Sequence, residues 1–122
     1  MAEAIARKDA SDIIAPLSAG IAPLGFVVET TKQTLLLNGY SADGLNSKPI
    51  DDEMWDAANL VINMTGRSGE AVFRGFPDRE KIEDWYVRDP YGAEVALYQK
   101  IFDELRGRVN SLARRLRELN AK

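Results

Sequence analysis

Eight consecutive residues decide how this chain folds: Trp85-Tyr86-Val87-Arg88-Asp89-Pro90-Tyr91-Gly92. The first three side chains are aromatic or β-branched, and such residues favour a strand. Pro90 has no amide hydrogen to donate, and it disfavours a helical backbone at Asp89. Gly92 gives the backbone the freedom to turn toward a helix. The stretch therefore predicts a strand, a stiff loop that carries Asp89, and then a helix.

Asp89 is the residue of this loop whose side chain could take part in proton transfer. In open α/β sheets, ligands bind at the carboxyl ends of the strands. A carboxyl group in that place can donate or accept a proton during a reaction. Asp is also common at the start of turns and at helix N-caps. The stretch by itself leaves both interpretations open.

The composition is that of a single globular domain, which we place at residues 1–122. The chain has 122 residues, of which 45% are hydrophobic, and this is enough for one core. Its 16 basic and 19 acidic residues give a net charge of −3, which argues against nucleic acid as a partner. No apolar run approaches the roughly 18 residues that span a bilayer, and the first residues lack the layout of a secretory signal. We expect a cytoplasmic protein that binds neither nucleic acid nor membrane.

Two residue types are absent: the sequence contains no cysteine and no histidine. Without cysteine there is no disulfide, no thiolate zinc site and no cysteine nucleophile. Without histidine there is no imidazole base and no imidazole metal ligand. Any catalysis by these residues has to use Asp, Glu, Lys, Arg, Tyr or Ser, and we expect no metal site and no cofactor.

The remaining patterns predict helices that alternate with strands. Apolar residues recur at three- and four-residue steps from Leu97 to Leu119, which predicts a long amphipathic helix. Residues 59–65 have a continuous apolar centre, which is typical of a strand buried on both faces. The alternation predicts an α/β fold, a small parallel sheet flanked by helices. The predicted helices are 1–12, 27–38, 52–58, 78–83 and 94–119, and the predicted strands are 13–19, 59–65 and 84–88.

Two arginines, Arg67 and Arg74, lie in residues 66–76, which are predicted to form a loop or a broken helix. They either contact an anionic ligand or belong to an ordinary solvated loop. Surface loops are polar by default, so the sequence favours the second interpretation. The basic second half of the last helix is interpreted as a solvated face for a similar reason, since cations are favoured at a helix C-terminus. The far end of that long helix is a candidate contact with a partner.

Taken in order, four short motifs resemble the low-molecular-weight protein tyrosine phosphatases and their arsenate-reductase relatives. Met1-Ala2-Glu3-Ala4 is similar to the start of the family's first helix, and Ser18-Ala19-Gly20 is similar to the end of its second strand. Residues 57–64 resemble its next strand, and residues 85–92 resemble its Asp-Pro loop. The long last helix closes the fold in the same way. The resemblance implies a phosphotyrosine phosphatase I-like fold, which is flavodoxin-like.

The resemblance also implies roles for three residues. Asp89 matches the family's general acid, which protonates the leaving tyrosine oxygen. Tyr91 lies where the family often has an aromatic wall for the substrate ring, and Ser18 matches a position that supports the phosphate-binding loop. The substrates implied for a full-length enzyme are phosphotyrosine proteins or small aryl phosphates, which are hydrolysed through a cysteine nucleophile.

The family's defining motif is not in this sequence. In the family, a strand leads into a Cys-x5-Arg loop that binds phosphate, and the helix similar to Met1-Ala2-Glu3-Ala4 follows. By the usual length of a strand plus this loop, about 13–16 residues are absent. We therefore expect an N-terminally truncated domain that is inactive as this chain. Whether Met1 is the natural start stays open.

The missing strand bears on assembly as well. The family's strand order is 2-1-3-4, so the first strand lies inside the sheet. Its loss exposes two rows of unpaired backbone groups, which are costly when they are buried without water. We expect the sheet to be rearranged or completed by a partner chain, and hence a homo-oligomer.

Three other interpretations stay open. One is a non-catalytic oligomeric binding module derived from the same fold. Another is arsenate reduction, which is disfavoured because it needs cysteines to carry electrons away from arsenate. The last is an unrelated α/β domain.

Overall fold

The computed structural model describes residues 1–19, 29–44, 49–87 and 95–120. Among these residues, no helix combines the length and the apolar composition that a membrane crossing requires. In chain order, the elements are α1 (Ala2–Asp9), α2 (Glu29–Leu37), α3 (Asp52–Ala57), β1 (Val61–Asn63), α4 (Gly69–Val72), a 3₁₀ helix (Arg79–Lys81), β2 (Ile82–Asp84) and α5 (Val95–Asn120).

The two strands form a parallel pair, as the sequence predicts. Val61 pairs with Ile82, and Asn63 pairs with Asp84. The last pair is closed by the Trp85 amide, which donates to the Asn63 carbonyl with an N to O distance of 2.8 Å. This small parallel sheet, with helices around it, confirms the predicted α/β class.

The strand predicted at 13–19 is not formed. Residues 11–13 make a turn after α1, and residues 14–19 follow without strand pairing. The amides of Ile13 and Ile14 both donate to the Ala10 carbonyl, at 3.0 and 2.8 Å, so the segment begins as a continuation of the helix end. Pro16 has no amide hydrogen for a ladder. The prediction is wrong because strand propensity needs a neighbouring strand, and none of the described strands pairs with this segment.

The last strand is shorter and lies earlier than predicted, at Ile82–Asp84 rather than 84–88. The cause lies in its neighbour β1, which ends at Asn63. There the Thr65 amide donates to the Asn63 side-chain oxygen at 3.2 Å, and the chain turns away from the sheet. The described residues beyond Trp85, Tyr86 and Val87, therefore have no ladder partner among the described strands, and residue 88 of the predicted strand lies outside the described residues.

The segment between the strands agrees with the prediction at its start and is less helical than predicted at its end. Residues 66–76 are predicted as a loop or a broken helix, and four of them form the short helix α4. The helix predicted at 78–83 is only a 3₁₀ helix of three residues. Asp78, which precedes it, has a φ of 54°. That conformation is not helical, so the helical stretch begins at Arg79, and it ends at Lys81 because Ile82 pairs with Val61 in the sheet.

The core is built on the apolar stripe of α5. Phe102 from α5, Ile5 from α1 and Leu35 from α2 have no exposed surface. The rings of Tyr40 and Phe102 meet edge to face, with centroids 5.3 Å apart. The core residues are Ala4, Ile5, Ala6, Leu35, Tyr40, Trp85, Ile101, Phe102, Leu105, Val109 and Leu112.

The far end of α5 contacts the chain's own N-terminal region. Arg117 donates to both carboxylate oxygens of Asp12, at 2.8 and 2.7 Å, and to the Asp9 carbonyl at 3.2 Å. The hydrogen bond from Arg117 lowers the pKa of Asp12 below its usual 3.8. The sequence predicts a partner contact for this end, and the structure gives it an intramolecular one. Leu119 is the large apolar side chain that stays 63% exposed there.

A second cluster of aromatic rings joins α3 to the segment after α4. Trp55 is 1% exposed and stacks on Phe76 with centroids 4.6 Å apart. The Phe73 ring lies 5.1 Å from Trp55 on a tilted plane. The Lys81 ammonium lies 5.2 Å from the Trp55 ring centroid and donates to the Ala58 carbonyl at 3.0 Å. This cluster holds the chain that runs into β2.

Two glycines give opposite predictions for the same substitution. A Cβ added to Gly69 would lie well inside van der Waals contact with the Ile82 side chain, and 2.9 Å from an Asp84 carboxylate oxygen. A Cβ added to Gly107, in the middle of α5, would meet nothing within 4 Å. We expect Gly69→Ala to lower the free energy of unfolding by about 1–3 kcal/mol through overpacking. We expect Gly107→Ala to raise it by about 1 kcal/mol through helix propensity.

Urea unfolding followed by circular dichroism measures both changes. Equal effects of the two substitutions would contradict the close packing of α4 on β2.

Candidate functional site

The carboxyl ends of β1 and β2 bring two polar side chains together. Asn63 and Asp84 are paired in the parallel register, and each is the last residue of its strand. The Asn63 amide donates to the Asp84 carboxylate with an N to O distance of 2.9 Å. In parallel α/β sheets, this edge is where ligands bind. It is therefore the candidate functional site of the described residues.

Asn63 holds the loop that follows β1. Its side chain is buried, with 3% of the residue exposed. The same amide group donates to the Arg67 carbonyl at 2.6 Å, and the amide oxygen accepts the Thr65 N–H. One buried side chain thus fixes two positions of the loop 64–68. A buried amide with satisfied partners rigidifies the backbone around it.

Asp84 holds the start of α4 in the same way. One carboxylate oxygen accepts the Gly69 amide at 3.0 Å as well as the Asn63 side chain. The other oxygen lies 3.4 Å from the Tyr86 hydroxyl. Because its lone pairs are used by these donors, Asp84 is suited to hold the site in shape rather than to transfer a proton.

Three side chains at this edge are exposed. Met64 is 38% exposed and Tyr86 is 62% exposed, and both follow the last residue of a strand by one or two positions. Arg67 is exposed as well. Within the part of the chain that the structure describes, its side chain has no ion pair or hydrogen bond. Apolar, aromatic and cationic groups are therefore exposed at this edge, close in sequence to the hydrogen-bonded pair Asn63 and Asp84.

Ser18, predicted to support a phosphate loop, lies beside the first turn of α1. Its hydroxyl donates to the Glu3 carboxylate, which also pairs with Arg7. Glu3 is only 7% exposed. Burial lowers the pKa of the Met1 amine, and the nearby Glu3 carboxylate opposes that shift. The role of Ser18 toward a phosphate loop stays a prediction.

The other two predicted site residues, Asp89 and Tyr91, lie outside the described residues. Among the described residues, no group of three or more acidic side chains could hold a metal ion. Asn63 and Asp84 are the residues that the sequence analysis missed. The signal available for them was weak: each is a polar residue at the end of an apolar or strand-forming run, which equally suits an ordinary strand end.

An open groove of about 510 Å³ is lined by Asp9 of α1, Tyr40 and residues of α5 between 103 and 110. Its polar groups already bind one another: the Tyr40 hydroxyl and the Asn110 amide both donate to Asp9, at 2.7 and 3.1 Å. Burial, followed by the hydrogen bond to Asp9, raises the pKa of Tyr40. No side chain of β1 or β2 lines this groove. It is a structural contact between helices rather than part of the strand edge.

A sequence model of the low molecular weight phosphotyrosine protein phosphatase family matches residues 1–122. The chain belongs to this family. The match confirms the resemblance that the four motifs indicate. It also agrees with the parallel strand pair.

Individual relatives of this phosphatase family member support the same fold. Arsenate reductase 1 of Bacillus cereus is 31% identical over 113 residues, which are 93% of this chain and 83% of that protein. A low molecular weight protein tyrosine phosphatase from T. tengcongensis has a TM-score of 0.85 at 22% identity, over 94% of this chain and 88% of the other. An arginine phosphatase from Geobacillus stearothermophilus has a TM-score of 0.82 at 22% identity, over 98% and 85%. At this identity, the two structures are evidence for the fold alone.

The buried amide of Asn63 generates a prediction. Asn63→Ala removes the donor to Arg67 and Asp84 and leaves a partly buried carbonyl and carboxylate with fewer donors. We expect the free energy of unfolding to fall by about 1–3 kcal/mol. Hydrogen exchange of the Gly69 amide should also become faster, because Asp84 is no longer held in place.

Asn59→Ala is the matched control, since Asn59 is exposed and lies just before the same strand. The control should change neither quantity. An Asn63→Ala protein with unaltered stability would mean that the loop 64–68 is held by other contacts.

Proposed function

We propose that these 122 residues form the acid-bearing part of a phosphatase that hydrolyses phosphotyrosine in proteins, and that they do not catalyse by themselves. The observation that carries the proposal is the family match over residues 1–122 combined with the absence of cysteine from the sequence. The family's chemistry, as the resemblance implies it, passes through a cysteine thiolate in a Cys-x5-Arg loop. A polypeptide without cysteine has no such nucleophile.

The proposed roles follow the chemistry of phosphomonoester cleavage. When a cysteine thiolate attacks phosphorus, the phosphorus–oxygen bond to the tyrosine breaks, and that oxygen needs a proton. Asp89 is proposed as the general acid that supplies it. Tyr91 is proposed to line the space for the substrate ring. Ser18, which donates to Glu3 at the first turn of α1, is proposed to support the phosphate loop.

The name of the Bacillus cereus relative raises arsenate reduction as a second activity. That chemistry transfers electrons from thiols. The sequence contains no cysteine, so we do not propose it for these residues.

Activity on an aryl phosphate tests the proposal. The comparison is between the 122-residue polypeptide and a version extended by the in-frame codons that precede Met1 in its gene. We expect hydrolysis only from an extension that encodes a strand and a Cys-x5-Arg loop. In that active form, Asp89→Asn should lower kcat by about 10²- to 10⁴-fold, because the leaving oxygen is no longer protonated.

Asp56→Asn is the matched control, because Asp56 is an exposed acid in α3 and its removal should leave kcat unchanged. Hydrolysis by the 122-residue polypeptide, or an extended form with a Cys-x5-Arg loop that is inactive, would contradict the proposal.

We also propose that the 122-residue polypeptide is a homo-oligomer. Residues 14–19 have no strand partner, and β1 is paired on one side only among the described strands. Leu17, in the middle of the unpaired segment, is 68% exposed. Unpaired strand edges with exposed apolar side chains favour pairing between chains. If the extended form proves inactive, a non-catalytic oligomeric binding module is the alternative function. A cytoplasmic location stays a prediction.

Sedimentation velocity tests the assembly. We expect a species of at least twice the 13.6 kDa chain mass. Leu17→Asp should shift it to the monomer, because a charge would be buried at the interface between chains. Leu37→Asp is the control, since Leu37 is 80% exposed on α2, away from the unpaired segment in sequence. A monomeric parent protein, or an equal shift by both variants, would rule out this mode of assembly.

A further inference from the structure

We propose that Met64, Arg67 and Tyr86, here named the edge strip, form a docking surface for an acidic peptide segment next to the phosphorylated residue of a protein substrate. The inference rests on the proposed function. It adds to that function a preference for a particular substrate sequence. The strip lies at the carboxyl ends of β1 and β2, the side of a parallel sheet at which ligands bind.

The strip is held in shape by a continuous chain of hydrogen bonds. The Tyr86 hydroxyl lies 3.4 Å from one oxygen of Asp84, and the other Asp84 oxygen accepts the Asn63 amide at 2.9 Å. The same Asn63 nitrogen donates to the Arg67 carbonyl at 2.6 Å. Two exposed residues from different parts of the chain are thus connected through two less exposed ones. The backbone that carries Arg67 is ordered before any ligand arrives, which reduces the entropy cost of binding.

Among the described residues, no ion pair joins the Arg67 side chain to the acidic side chains of α4 and β2. Asp84 is occupied by the Gly69 amide and the Asn63 side chain. Glu70, on α4, lies 3.8 Å from the Arg79 guanidinium. Within the described residues, the Arg67 side chain therefore has no acidic partner. The sequence favours a solvated loop at this position, and the structure adds a fixed backbone from which the Arg67 side chain extends.

The other two residues of the edge strip suit a peptide better than a small anion. Met64 and Tyr86 are two of the large apolar side chains that remain exposed, at 38% and 62%. Tyrosine, methionine and arginine are the residue types enriched at protein interfaces. The apolar pair can cover the aliphatic part of a bound chain while Arg67 pairs with a carboxylate. Charge complementarity selects the occupant, because a neutral or basic peptide would leave the guanidinium without a partner.

Peptide binding to the 122-residue protein tests the inference without relying on catalysis. The probes are a fluorescent phosphotyrosine peptide with glutamates beside the phosphotyrosine, and the same peptide with glutamines in their place. Fluorescence anisotropy should show tighter binding of the glutamate peptide by about two- to fivefold, the range that one exposed charge pair gives. Arg67→Gln should abolish this preference.

Arg74→Gln is the matched control, because Arg74 is exposed in the same segment, has the same charge and lies outside the hydrogen-bonded chain. It should keep the preference. Arg67→Gln retains the backbone groups that Asn63 and Thr65 contact, so we expect it to fold, and the amide resonance of Gly69 reports whether the edge is intact.

The inference is overturned if both peptides bind equally, or if Arg67→Gln and Arg74→Gln reduce the preference to the same extent. Its failure is distinguishable from failure of the proposed function. An active extended phosphatase without the glutamate preference would overturn the docking surface alone. An inactive extended form whose preference depends on Arg67 would overturn the catalytic proposal and retain the surface.

Discussion

Burial of the apolar stripe of α5 against α1 and α2 is the constraint on which the rest of this structure depends. Within the part of the chain that the structure describes, the sheet has two strands of three residues each, and such a pair is not stable in water by itself. Phe102, Ile5 and Leu35 supply what the sheet lacks, because they are removed from water completely at the junction of the three helices. Trp85 joins the same core directly after β2. The position of the candidate site is therefore set by helix packing first and by strand pairing second.

Within that frame, the carboxyl edge of the sheet is organised by polar contacts. Asn63 and Asp84 bind each other and fix the starts of two further segments, the loop after β1 and the helix α4. Among the described residues, no buried side-chain nitrogen or oxygen lacks a partner. A fully satisfied network of this kind specifies one conformation, whereas a partly satisfied one would cost stability. The network holds the backbone of this edge in one conformation. Contacts with a ligand are available to the exposed side chains of the edge.

The chemistry of the family and the composition of this chain do not coincide. Membership of the phosphotyrosine phosphatases follows from the match over residues 1–122, yet the sequence has no cysteine to act as nucleophile. The proposed division of labour accounts for both facts. In that proposal, these residues carry the general acid and a support for the phosphate loop, and the nucleophile is supplied by residues outside them. The unpaired segment 14–19 and the exposed Leu17 fit the same proposal, because they indicate backbone and apolar surface that another strand could cover.

The sequence by itself determined the family, the α/β class and the last helix. The four motifs that carry the resemblance are local, and the stripe of α5 is periodic, so the predicted helix 94–119 agrees closely with Val95–Asn120. The sequence did not determine which strand-forming runs become strands. Residues 13–19 and 85–88 have suitable propensities, but a ladder requires a neighbour at the right register, and the pairing of Val61 with Ile82 decides that register. The sequence also did not predict that Asn63 and Asp84 form the buried polar pair of the candidate site. Asn63 and Asp84 are separated by 20 residues and meet only because parallel pairing aligns the two strand ends, so tertiary structure alone decided their contact.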